Sequence, residues 1–136
     1  MRKTLIIISL SLVFALQIFS QTEKILVKSI DLNGNQIIAV YLSGKTTFHE
    51  WDKDFIRVTT RIGLVNSSAS ILDRLVIAGR YDIISSEKEG EMQLTMPKIL
   101  KPINHKGVIL EEKFHYEIFI PKNTTYRIDF PASEGL

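Results

Sequence analysis

The sequence predicts a mainly β fold, either an antiparallel sandwich or a short β-solenoid-like stack, with one amphipathic helix around Ser68–Ala78. Apolar and polar residues alternate with period two through most of the chain after Gln21, as in strands that bury one face. Turn-forming clusters interrupt the alternation about every ten residues, which is typical of many short strands in succession. Because strands that follow one another closely tend to pair, we expect mainly antiparallel sheets unless the chain forms a solenoid.

The first segment, residues 1–20, has the layout of a secretory signal peptide. Arg2 and Lys3 give it a positive start, and residues 4–19 form an uncharged stretch with an apolar centre. This stretch of about 16 residues is shorter than the about 20 that a membrane-spanning helix needs. We therefore expect the segment to be removed on export, leaving residues 21–136 as a single β-rich domain without a membrane span. A retained anchor or a buried N-terminal helix is the alternative.

Charge and cysteine content narrow the classes of function. The chain has 17 Lys and Arg against 15 Asp and Glu, and Arg2 and Lys3 are the only charges before Glu23, so the expected domain is neutral by count. No basic stripe of the kind that a nucleic-acid-binding protein carries is present, and we expect no nucleic-acid partner. The absence of cysteine excludes disulfides, thiol catalysis and a lipid anchor on cysteine. The expected location is the periplasm or the cell surface.

The first half of the expected domain contains several strands separated by turns. Alternating or apolar runs occupy residues 25–30, 36–42, 46–51 and 55–62. Asn33-Gly34 tolerates the positive φ of a tight turn, which favours a hairpin between the first two runs. The last run is the clearest strand, because Ile56 and Val58 alternate strictly with Arg57 and Thr59.

One segment has helical spacing instead. Ser68 offers an N-cap oxygen, Leu72 and Leu75 lie on one side of the expected helix, and Gly79 can take the left-handed conformation that ends it. We expect this helix to cover one face or one open end of a sheet. A partner-binding helix is the alternative, although a helix this short is marginal without tertiary packing.

Strands resume after the helix. Residues 81–86 and 91–96 flank a hairpin loop, and residues 97–104 contain two prolines that predict a loop or a sheet edge. The remaining expected strands cover residues 107–110, 114–120 and 125–130.

The ionisable residues do not form a recognisable catalytic or metal-binding motif. The histidines are His49, His105 and His115, which are far apart in the sequence. His115 and Glu117 share one face of a strand, and Glu111 and Glu112 lie just upstream. These residues could form a metal site or the active site of a small hydrolase. A convincing site needs a full ligand set, and we expect a solvated strand face with no catalytic, cofactor-binding or metal-binding residues.

Aromatic residues are spread through the expected strands. They are Phe48, Trp51, Phe55, Tyr81, Phe114, Tyr116, Phe119, Tyr126 and Phe130. We expect most of them to fill the core, because alternation hides one face of each strand. Phe55 and Phe119 are exceptions, since both alternate onto the face opposite the main apolar set of their strand. These two predict either a second packed layer or an interaction patch.

Two segments together resemble an adhesin-like β-solenoid domain family of exported bacterial envelope proteins, whose biochemical function is unknown. The segments are Ser-Gly-Lys-Thr-Thr-Phe-His-Glu-Trp-Asp-Lys-Asp-Phe-Ile-Arg-Val at residues 43–58 and Tyr-Glu-Ile-Phe-Ile-Pro-Lys-Asn-Thr at residues 116–124. Members of the family continue with several Gly/Asn-punctuated repeats after the proline strand, whereas only residues 125–136 follow here. The resemblance implies an envelope location and brings no catalytic residues.

We therefore expect an exported, non-enzymatic structural or interaction module of the bacterial cell envelope. Its expected partner is another envelope protein or a surface polymer, and no cofactor is expected. The alternative is a small hydrolase or a metal- or ligand-binding protein with a cleft near His115 and Glu117. A second alternative is an anti-sigma-linked or signalling accessory, which only the resemblance suggests.

Overall fold

The computed structural model describes residues 22–129, so the expected signal peptide lies outside the described residues. In chain order the strands are β1 (Thr22–Asp31), β2 (Ile37–Tyr41), β3 (Lys45–Trp51), β4 (Phe55–Leu64), β5 (Ile84–Lys88), β6 (Glu91–Thr95), β7 (Asn104–His105), β8 (Val108–Ile109), β9 (Glu112–Pro121) and β10 (Thr125–Ile128). Helix α1 spans Ala69–Ile77, and a short 3-10 helix spans Pro97–Leu100. The predicted mainly β fold with one helix is confirmed.

The long strands form two four-stranded sheets. Sheet A has the order β1-β4-β9-β3, and sheet B has the order β10-β2-β6-β5. Neighbouring strands pair antiparallel in β1–β4, β4–β9, β5–β6 and β7–β8, but parallel in β3–β9, β2–β6 and β2–β10. The sheets are therefore mixed, and the expectation of mainly antiparallel sheets holds only in part.

The turn between β1 and β2 shows why neighbouring strands do not always pair. Asn33 and Gly34 have positive φ values of 50° and 82°, as the Asn-Gly sequence predicts. The predicted hairpin is nevertheless wrong, because β1 pairs with β4 while β2 pairs with β6 and β10. The turn carries the chain from one sheet to the other. Ile30 and Ile38, on either side of it, are both buried in the shared core.

The core lies between the two sheets. Sheet A contributes buried residues such as Ile56, Val58 and Ile118, and sheet B contributes Val40 and Leu94. Each of these side chains is fully buried. Two facing sheets around one core support the sandwich interpretation, and the β-solenoid interpretation is not supported.

Helix α1 begins and ends where the sequence predicts. The Ser68 side-chain oxygen accepts a hydrogen bond from the backbone N–H of Ile71 at 3.3 Å, and Gly79 follows the helix with a φ of 75°. Leu72 is buried, and Lys24 on β1 forms an ion pair with Asp73 at 2.7 Å. The helix therefore packs beside the β1 edge of sheet A. No helix within residues 22–129 is long and apolar enough to cross a membrane.

A buried ion pair joins the segment after the helix to sheet A. The guanidinium of Arg80 donates to both carboxylate oxygens of Glu112, at 2.6 and 2.9 Å, and to the carbonyl oxygen of Lys98 at 2.9 Å. The hydrogen bond to Glu112 raises the pKa of Arg80, and burial raises the pKa of the neighbouring Tyr81. We call this arrangement the Arg80 clamp. It fixes the chain between α1 and β5 onto the start of β9.

The strand after the helix begins later than predicted. Residue 81 ends a turn and residues 82–83 are irregular, so β5 begins only at Ile84. Asp82 donates its backbone N–H to the carbonyl oxygen of Gly79, which keeps the chain turned. The predicted β5–β6 hairpin is confirmed, with positive φ at Glu89 and Gly90.

Candidate functional site

The outward face of sheet A carries an ordered set of aromatic and charged side chains. Alternate residues of a strand point to the same side, so His49 and Trp51 of β3 share this face with Arg57 of β4 and Phe119 of β9. The register places His49 beside Phe119, and Phe119 beside Arg57. This side-by-side arrangement depends on parallel pairing between β3 and β9, which are distant in the sequence.

Four rings form what we call the aromatic cluster: His49, Trp51, Phe55 and Phe119. Ring centroids are 4.9 Å apart for His49–Phe119, 5.4 Å for Trp51–Phe119 and 4.9 Å for Trp51–Phe55. The indole N–H of Trp51 donates to the carbonyl oxygen of Phe55 at 2.9 Å. The rings are thus in contact with one another along the end of the sheet, outside the main core.

Two cationic side chains pack on the aromatic cluster. The guanidinium carbon of Arg57 lies 5.1 Å from the Trp51 centroid, and the Lys53 ammonium lies 5.5 Å from it. Both cations also lie within 6 Å of the Phe55 centroid. These distances suit cation–π attraction. The Nε atom of Arg57 is buried, and it has no hydrogen-bond partner among residues 22–129.

The sequence predicted the outward position of part of the aromatic cluster. Phe55 and Phe119 lie on the outward face, as their alternation predicts. Trp51 was expected in the core, and that expectation is wrong, because it shares the face of His49 rather than that of Phe48. The alternation of β3 was a signal that could have placed Trp51 correctly.

The other aromatic residues mostly follow the expectation of a core role. Tyr81 and Tyr116 are buried, and Phe48 and Phe114 pack against the core. Tyr126 is 45% exposed and stacks on Phe48 with centroids 3.7 Å apart. Phe130 lies outside the described residues.

His115 and Glu117 also lie on the outward face of sheet A. They line a recess of about 60 Å³ together with Ile25, Thr59 and Arg61. This volume is far below the about 300 Å³ of a typical small-molecule site. The recess therefore offers room for one functional group at the surface, but not for a small molecule.

The imidazole nearest to Glu117 belongs to His49, not to a histidine of its own strand. Its Nε2 atom lies 4.0 Å from the Glu117 carboxylate, and both side chains are more than 40% exposed. His105 lies on β7, and Glu112 is held in the Arg80 clamp. Across the part of the chain that the structure describes, no three His, Asp or Glu side chains are grouped closely enough to hold a metal ion.

Another recess of about 270 Å³ lies beside the 3-10 helix, on the side of sheet B. It is lined by Tyr41, Ser43, Gln93, Thr95, Met96, Pro97, Ile99 and Leu100. None of these residues is acidic or basic. This recess is therefore separate from the aromatic cluster and from the His49–Glu117 pair, which lie on sheet A.

Comparison with known proteins gives little that bears on this surface. No family model and no curated protein matches the chain. Among solved structures, the chain is similar to the 1.95 Å crystal structure of a protein from Clostridium sporogenes ATCC 15579 described as a "putative cell adhesion protein". The identity is 11% and the TM-score 0.41, over 78% of this chain and 45% of that chain. At these values the similarity assigns neither a family nor an activity.

Proposed function

We propose that the protein is an exported, non-enzymatic interaction module of the bacterial cell envelope. It binds another envelope protein or a surface polymer through the outward face of sheet A. Export is supported by the signal-peptide layout of residues 1–20. The observation that carries the binding role is the aromatic cluster on a sheet face that points away from the core.

Rings in this position suit a binding role for physical reasons. Isolated exposed apolar residues are common on proteins, but contiguous aromatic patches mark sites of interaction. Trp51 and Phe119 keep part of their surface in water in the free protein, so a partner that covers them gains hydrophobic free energy. Packing among the rings and with Arg57 restricts their motion beforehand, which lowers the entropy lost on binding.

The chemistry of this face supports a role without catalysis. His49 and Glu117, 4.0 Å apart, are both well exposed to water. Catalytic acids and bases are usually tuned by burial or by a strong local field. Neither side chain is buried, and the pair is suited to polar contact with a partner.

Binding to isolated envelope fragments tests the proposal. The double variant Trp51→Ala/Phe119→Ala should lose at least about tenfold in affinity, because truncating two central aromatic contacts commonly costs more than 1.4 kcal/mol. Tyr41→Ala is the matched control, since it removes an aromatic side chain from the outward side of sheet B. Co-sedimentation of purified protein with the fragments measures both effects.

Equal binding by wild type and the double variant would contradict the proposed surface, as would an equal loss in Tyr41→Ala. Export is tested separately by fractionating cells and sequencing the N-terminus. The proposal expects a chain that begins near residue 21 outside the cytosol. A cytosolic protein that still begins with Met1 would contradict the proposed export.

A further inference from the structure

We infer that the outward face of sheet A binds a polysaccharide that carries carboxylate groups. Sugar rings would lie against the aromatic cluster, and the carboxylates would bind Arg57 and Arg61. This inference rests on the proposed function and specifies the chemical class of its ligand.

The outward face of sheet A carries slightly more cationic than acidic residues. On its strands these are Lys45, Arg57, Arg61 and Lys113 against Glu23, Asp31 and Glu117. Within residues 22–129, neither Arg57 nor Arg61 has a carboxylate within 4.0 Å, whereas Arg80 and Arg127 do. A guanidinium without such a partner can take a carboxylate in bidentate geometry. The face therefore suits an anionic ligand.

The two arginines are spaced along one strand. Arg57, Thr59 and Arg61 alternate along β4, so the backbones at Arg57 and Arg61 lie about 13 Å apart, at about 3.3 Å per residue. Because strand side chains stand roughly perpendicular to the sheet, we expect no single small anion to contact both guanidinium groups. Carboxylates on successive repeats of an extended polymer can do so, because the polymer runs along the strand.

The rings of the aromatic cluster lie beside Arg57. Phe119 pairs with Arg57 in the register of β4 and β9, and Arg57 packs on Trp51. The negative face of an aromatic ring attracts the slightly positive C–H groups of a pyranose ring. A chain of acidic sugars can thus place a ring on the aromatic cluster while its carboxylate reaches Arg57.

The shape and polarity of the face favour a polymer over a protein or a small molecule. The recess at Arg61 and His115 is only about 60 Å³, too small to enclose a sugar. Its lining includes the polar residues Thr59 and Glu117, which lie next to the aromatic cluster in the register of β4 and β9. The centres of protein interfaces are depleted of Lys, Glu and Asp, and this face carries Glu117 between Arg57 and Arg61. An extended polar chain with periodic charge fits the observed pattern.

Titration calorimetry with an oligomer of galacturonic acid tests the inference. The uncharged comparison is the same oligomer with its carboxylates methyl-esterified. Wild type should bind the acidic oligomer at least about tenfold more tightly, because each charge-assisted hydrogen bond contributes about that factor or more. Arg57→Gln and Arg61→Gln should each weaken binding of the acidic oligomer by about tenfold.

Arg127→Gln is the matched control, because it removes the same charge from a strand of sheet B and should leave the affinity unchanged. Arg57 packs on Trp51, so thermal unfolding checks that its variant folds. Arg61 is exposed and has no such packing, which keeps the test decisive if Arg57→Gln is unstable.

Three results would overturn the inference: no binding of the acidic oligomer, equal binding of the methyl ester, or an equal loss in Arg127→Gln. The proposed function would survive them if envelope binding still required Trp51 and Phe119. In that case, loss of envelope binding after protease treatment of the fragments would identify a protein partner instead.

Discussion

The outward faces of the two sheets use their arginines in opposite ways. On sheet B, Arg127 forms ion pairs with Glu91 and Asp129 and donates a hydrogen bond to the Tyr41 hydroxyl. Hydrogen bonding to Glu91 raises the pKa of Arg127. On sheet A, Arg57 packs on aromatic rings and has no carboxylate nearby within residues 22–129.

This difference supports the proposal that a partner binds to sheet A rather than to sheet B. A ligand on sheet B would have to compete with carboxylates already bound to Arg127. A ligand on sheet A meets a cation whose hydrogen-bond donors are not occupied by carboxylate, next to rings that are only partly covered. The Arg80 clamp is a third case, in which the charge is buried and serves the fold.

The largest expected change in the free energy of unfolding distinguishes a residue on the inward side of β9 from its neighbour on the outward side. Ile118 and Phe119 are adjacent on β9, but Ile118 is fully buried and Phe119 is outside the core. Ile118→Ala should lower the free energy of unfolding by about 3 kcal/mol, because it leaves a cavity. Phe119→Ala should cost about 1 kcal/mol, since only part of its ring is removed from water.

Urea denaturation of the two variants measures this contrast. Circular dichroism on each variant controls for loss of the native sheet content before denaturation. A cost for Phe119→Ala equal to that for Ile118→Ala would show that the aromatic cluster is a second structural core rather than a binding surface.

A somewhat smaller loss of stability is expected when the buried Arg80 loses its carboxylate partner. Glu112→Ala leaves Arg80 buried without its carboxylate, and the free energy of unfolding should fall by about 3 kcal/mol or slightly less. Glu117→Ala is the control, because Glu117 is exposed and removing it should change the free energy of unfolding by less than about 0.5 kcal/mol. If both variants lost the same stability in thermal unfolding, Glu112 in the Arg80 clamp would matter no more for folding than the exposed Glu117.

Local features of this fold could be predicted from the sequence. Alternation predicted most strands and the outward position of Phe55 and Phe119, and Ser68 and Gly79 predicted the limits of α1. These features depend on residues close together in the chain. The conformation of Asn33-Gly34 was predicted for the same reason.

Features that depend on distant contacts could not be predicted. The partner of β1 is decided by which apolar faces meet across the core, so the turn at Asn33-Gly34 could not reveal that it joins two sheets. The aromatic cluster requires β3 to lie parallel to β9, which brings His49 to Phe119 and close to Glu117. The pairing of two segments 70 residues apart leaves no local pattern in the sequence. The side of its own strand on which each ring lies does leave such a pattern, in the alternation of apolar and polar residues.

Trp51 is the single tryptophan of the chain, so its fluorescence reports on the outward face of sheet A directly. The decisive measurement is quenching of this fluorescence by acrylamide in the native protein, with and without saturating envelope fragments. A partner bound on this face should shield the indole, shift its emission to shorter wavelength and reduce quenching. Unchanged emission and quenching at saturation would place the bound partner elsewhere on the molecule and contradict the account.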